Sequence, residues 1–203
     1  MSTLSFVRRT LLIAVAAVVL AGCAGAPAPV AAPAVQGQAL HVLVFRGGAA
    51  ARLGHNHVLR AGDLRVEWAA AGPVLRFRLD ALVVDPPELR AALGVDFASA
   101  VDADARAGTR ANLLKALDAA THPEVAVRTL QQVGDGARRA VEAEITLHGQ
   151  SRRQWFVVDV DGRRASGQVV VRQSDFGIQP FAVMGGLLAV QDALVVQFEL
   201  VQP

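Results

Sequence analysis

The sequence predicts an all-β domain carrying one small helical insertion. Three observations carry the prediction. Short apolar segments with period-two alternation recur from residue 39 to residue 201, and in a strand positions i and i+2 share a face. Gly-, Pro- and Asp-containing dipeptides separate these segments at short intervals, as turns between antiparallel neighbours do. A single stretch, residues 102–120, shows alanine-rich helical spacing instead. Roughly eight strands with one apolar face each suit an antiparallel barrel or a sandwich. An eight-stranded barrel has an interior that holds side chains or one small ligand.

Each element has its own warrant. Residues 39–45 place Leu40, Val42 and Val44 on one face and His41, Leu43 and Phe45 on the other, and Gly47-Gly48 ends the run. Gly54-His55-Asn56-His57-Val58-Leu59 follows; as a strand it projects His55 and His57 to the same side. Residues 64–68 alternate, and Ala71-Gly72-Pro73 reads as a turn. Residues 74–84 read as one strand, with Leu75, Phe77 and Leu79 opposite Arg76, Arg78 and Asp80. Asp85-Pro86-Pro87 ends it, and Pro87 suits the first turn of a short helix over 88–93. The main helix, residues 102–120, has Leu113, Leu114 and Leu117 as its apolar stripe and stops before Pro123. Strands resume with Val125, Val127 and Thr129, then with Val141, Ala143, Ile145 and Leu147. His148 to Ser151 is a turn, residues 155–160 a strand, Asp161-Gly162 a hairpin signal, and 165–173 and 193–201 the closing strands.

Residues 1–22 read as an export signal. Arg8 and Arg9 precede the unbroken apolar run Leu11 to Leu20, and small residues follow. About ten residues is short for a membrane-spanning helix. Leu20-Ala21-Gly22-Cys23 resembles a bacterial lipobox, which implies cleavage before Cys23 and lipid attachment to it. Cys23 is the sole cysteine, so no intrachain disulfide forms. Residues 24–38 are an Ala/Pro/Gly spacer without the composition to bury a core. Residues 39–203 are then one domain of ordinary size. The whole chain has 20 basic and 18 acidic residues; residues 1–22 hold two arginines and no acid, so the remainder balances at 18 and 18. Net charge therefore gives no case for a nucleic-acid partner.

Several segments in order resemble the YceI-like family. They are the helix-to-strand passage Asn112 to Val125 with its His122-Pro123, the strand and turn Ile145-Thr-Leu-His-Gly149, and Ser174-Asp-Phe-Gly-Ile178. The resemblance spans residues 39–203. It implies an extended, eight-stranded, lipocalin-like antiparallel barrel that binds an isoprenoid-like or other amphiphilic lipid in its interior. It also implies a binding protein rather than an enzyme, facing the periplasm. Ala24 after Cys23, with no Asp there, resembles an outer-membrane sorting context. Family members commonly open with a His-Ser pair, whereas His41 is followed here by Val42. The Gly-His-Asn-His element and Pro180 to Gly186 mark a divergent branch.

The expected ligand-binding residues are His55, His57, Phe77, Phe156, Phe176, Phe181 and Phe198. The histidines would meet a head group and the aromatic rings a tail; the resemblance favours Phe176 and Phe181 in particular. The plainer alternative has the imidazoles bonded to backbone and the rings in the core. As metal ligands, His55 and His57 supply two of the three or four that a zinc site needs, and a haem would need one. No nucleophile–base–acid set and no phosphate loop is present. The expected function is an envelope lipoprotein that sequesters an amphiphilic lipid, such as an isoprenoid or fatty acid, with no resident cofactor. The alternatives are a metal- or haem-binding redox accessory using the His pair, and a structural envelope lipoprotein without ligand. The sequence names no protein partner.

Overall fold

The computed structural model describes residues 37–203. The predicted export signal, Cys23 and the spacer up to residue 36 lie outside the described residues. The strands, in chain order, are β1 (Ala39–Val44), β2 (Arg46–Gly47), β3 (His57–Arg60), β4 (Arg65–Ala69), β5 (Gly72–Arg78) and β6 (Val83–Val84). After helices α1 (Pro87–Ala92) and α2 (Ala103–Ala116) come β7 (Glu124–Val133), β8 (Arg138–Leu147), β9 (Gln150–Asp161), β10 (Arg164–Arg172), β11 (Ala182–Val183), β12 (Leu188–Val190) and β13 (Ala193–Val201).

Ten strands form one antiparallel sheet in the order β4–β5–β7–β8–β9–β10–β13–β1–β3–β6. It curls so that the inner faces of its strands line a common interior. The predicted eight-stranded barrel is corrected here: β4 and β6 are the sheet's two edges and do not pair with each other. The cause lies in residues 74–84. An apolar run continues through them, but a 3-10 turn at Leu79–Ala81 divides them into β5 and β6 and moves the buried face from Leu75, Phe77 and Leu79 to Leu82 and Val84. The Leu79 N–H donates to Pro123 O at 2.8 Å, and the chain then crosses to pair Val83 and Val84 with Arg60 and Leu59 on β3. The slip from odd to even positions is hidden in sequence because residues 81–84, Ala-Leu-Val-Val, are apolar at both parities.

The small strands β11, β12 and β2 form a separate three-stranded sheet beyond the ends of β1 and β13. Its loops are pinned at Gly48 (φ +86°), where a Cβ would lie 2.5 Å from both Gly186 O and Leu187 O. α2 starts at Asp102, whose side chain accepts from the Ala105 N–H at 2.8 Å, a standard N-cap. It ends earlier than the sequence pattern suggested, at Ala116, but keeps Leu113, Leu114 and Leu117 against the core. Arg110 ties α2 to the β5–β6 connection by donating to Leu82 O at 3.0 Å and to Asp80 O. Among the described residues no helix is long and apolar enough to cross a membrane.

The main core holds Leu40, Leu59, Leu75, Phe77, Ile145 and Leu200 with their neighbours. A second small cluster, Leu43, Val58 and Phe97, lies on the other side of β1 and β3. That explains the run Val58-Leu59: one side chain faces each cluster, and both are buried.

Candidate functional site

The curled sheet encloses a cavity of about 450 Å³, within the usual size of small-molecule sites. Its wall is built from the predicted apolar faces: Val42 and Val44 of β1, Leu75 and Phe77 of β5, Val125 and Val127 of β7, Ala143 and Ile145 of β8, Phe156 of β9, Val169 of β10, and Leu194, Val196 and Phe198 of β13. Thr109, Asn112, Leu113, Ala116 and Leu117 of α2 complete it. Gly167 of β10 stands opposite Phe198 of β13; a Cβ there would be 2.7 Å from Phe198 Cζ. The missing side chain lets the Phe198 ring lie against β10, edge-on to Phe156 with centroids 5.9 Å apart.

The two ends of the cavity differ chemically. Strand register puts Arg164, Val201 and Ala39 at one end, and Arg172, Ala193 and Val44 at the other. At the first end the lining includes Arg139, Arg163, Arg164, Gln132 and Gln202, and the Gly162–Arg163 turn there is exposed. At the second end the lining is Leu79, Leu82, Phe181 and Val190, with His57 and Gln173, and Thr109 and Asn112 of α2, as polar groups.

His57 opens β3 opposite Val44. Its Nδ1 lies 2.6 Å from Asp85 Oδ2. Asp85 is fully buried and accepts two further bonds at Oδ1, from the Val58 N–H at 3.0 Å and from Arg90 Nη1 at 2.7 Å. Burial alone would push its carboxyl up; the His57, Val58 and Arg90 donors outweigh that and hold it below the usual carboxylate range. Its backbone adopts the left-handed conformation, φ +50°, which a non-glycine residue adopts at a cost. Arg90 is itself 7% exposed. It donates to Asn56 O at 2.8 Å and to Ser99 O at 2.8 Å, and sits 6.0 Å from the Phe97 ring centre.

Five of the seven predicted ligand-binding residues line the cavity: His57, Phe77, Phe156, Phe181 and Phe198. Phe176 packs into the core at 2% exposure and is not part of the lining. The shared face predicted for the His pair does not form, because β3 begins at His57 and His55 lies in the connection before it. Asn56 is buried between them, accepting from the Arg46 N–H and donating to Asp96 O. The two imidazoles remain neighbours, 6.3 Å between centres, but His55 is outside the cavity lining. Among the described residues no three His, Cys, Asp or Glu side chains gather as a metal site. Asp85, Arg90 and Gln173 were not predicted. Asp85 reads in sequence as a strand terminator before two prolines; its tie to His57, 28 positions away, leaves no local signal.

Fold and site together define an antiparallel β-protein with a ligand-sized, apolar interior. The YceI-like domain model matches residues 73–202, and the chain belongs to the YceI-like family. Its fold resembles that of BcnA from Burkholderia cenocepacia, with a TM-score of 0.53 and 12% identity over 82% of this chain and 96% of that one. A weaker likeness links it to a YCEI protein from Campylobacter jejuni, TM-score 0.43 and 11% identity over 69% of this chain and 80% of the other. No curated protein matches the sequence.

Proposed function

We infer that this protein binds a hydrophobic or amphiphilic small molecule, isoprenoid-like or fatty-acid-like, inside its curled sheet, and acts by sequestration rather than catalysis. One observation carries the reading: the interior is not filled by its own side chains but leaves about 450 Å³ walled mainly by aliphatic and aromatic groups. Each methylene of a ligand buried there gains about 0.8 kcal/mol, so a long tail needs few polar contacts. Membership of the YceI-like family supports the same reading. The leader and the Leu20 to Cys23 motif support a lipid-anchored protein of the bacterial envelope, facing the periplasm.

Native mass spectrometry of the full-length chain released from its host membrane, with a metal assay on the same sample, tests this. The expected result is a bound species of lipid mass and no stoichiometric metal. Apo protein containing one metal or haem per chain would move the function to the His pair. Apo protein with neither would make it a structural envelope protein.

A further inference from the structure

We propose that the His57 end of the cavity is a hydroxyl-recognition site, which takes the O–H head of a long-chain alcohol as a hydrogen-bond donor and presents no cationic side chain to an anionic head. The inference rests on the cavity being a binding site and specifies the chemistry of its inner end.

The argument begins at Asp85. A carboxylate that accepts from the Val58 N–H and from the Arg90 guanidinium has no proton to give, so in its contact with His57 the imidazole is the donor. The proton of neutral His57 therefore sits on Nδ1, and its lone pair sits on Nε2. His57 lines the cavity, and Nε2 has no hydrogen-bond partner among the described residues. Gln173 is turned the same way. Its amide N–H donates to Gln191 O at 2.9 Å, a bond only the nitrogen can make, so its carbonyl oxygen is the atom left over. His57 and Gln173 thus present acceptors, while Thr109 and Asn112 of α2, in the same lining, can either donate or accept.

Among the described residues no cationic side chain lines the same place. Arg90 is committed to Asp85, Asn56 and Ser99 and Arg110 to Leu82 O and Asp80 O; neither lines the cavity. The arginines that do line it, Arg139, Arg163 and Arg164, all stand at the opposite end. A carboxylate or phosphate placed beside His57 would meet the imidazole lone pair and no counter-charge, and burying it there without one is costly. A hydroxyl supplies the missing donor. An acid of the same length binds with its head at the arginine rim.

The test titrates the full-length chain, with nitrogen-labelled histidine, against hexadecanol and against hexadecanoic acid. Hexadecanol is expected to shift the Nε2 resonance of His57 in the direction of an accepted hydrogen bond, while the acid leaves it in place. His57→Asn keeps an N–H to donate to Asp85 and removes the ring acceptor. It should weaken hexadecanol roughly five- to tenfold, the share of one hydrogen bond, and leave the acid unchanged. Thermal unfolding of this variant confirms its fold, and the resonance measurement needs no variant. Hexadecanol binding with a silent His57, or an equal response to alcohol and acid, overturns the inference and leaves the cavity reading intact. Failure of both compounds to bind overturns the two together.

Discussion

Asp85 shows how much one residue can hold. It accepts three hydrogen bonds, fixes the tautomer of His57 and neutralises Arg90, from a strained backbone in a fully buried position. Removing it by Asp85→Ala leaves a buried guanidinium without its counter-charge and orphans the Val58 N–H. The expected cost is about 3–5 kcal/mol, read as a lower urea midpoint; a change under about 1 kcal/mol would show that Arg90 re-pairs with solvent. Acid acts in the same direction. The folded carboxyl is held below its ordinary value of 3.8, so its stabilisation is complete above that value and is lost as pH falls through the lower folded one. From sequence, His57 could be singled out because imidazoles are rare in this chain and this one stands in an apolar run. Asp85 could not, since an acid before Pro-Pro has a sufficient local explanation and its partners come from β3 and α1.

The strands were legible one by one wherever an apolar face alternates. The faces of β7, β8 and β13 match the pattern residue for residue, because each buries one side against the cavity. What could not be read is where a strand changes partner. β5 and β6 come from one apolar run, yet β5 lies beside the β4 edge of the sheet and β6 forms the opposite edge. The pieces of the three-stranded sheet are too short, two or three residues each, to show any period. Gly167 is the element-scale counterpart of Asp85: a glycine in mid-strand that looks like a weakness and instead seats a ring. Gly167→Ala drives a methyl into Phe198 and within 3.0 Å of Val157 O. Overpacking of this kind costs about 1–3 kcal/mol. A lower melting temperature together with weaker binding of an apolar ligand is expected, because the displaced ring moves into the cavity; an unchanged melting temperature would show that the strands part freely at this point.

At the scale of the molecule, the proposed binding rests on a volume left unfilled. The sequence could indicate a barrel-like interior, but not whether side chains fill it, since the same alternating aliphatic residues serve either case. Ala143→Phe tests the point. Ala143 of β8 belongs to the cavity lining, so a ring placed there takes up ligand volume. It should abolish ligand capture at a stability cost of about 1–3 kcal/mol; undiminished capture would mean that the space is not where the ligand sits. In a closed barrel, strand number and stagger together set the diameter. This sheet ends at β4 and β6 without a final ladder between them, and α2 sends its leucines into the wall. Its circumference is therefore not a fixed count of backbone bonds, and on the binding proposed above the enclosure would widen or tighten around tails of different thickness by sliding side chains, with every ladder intact.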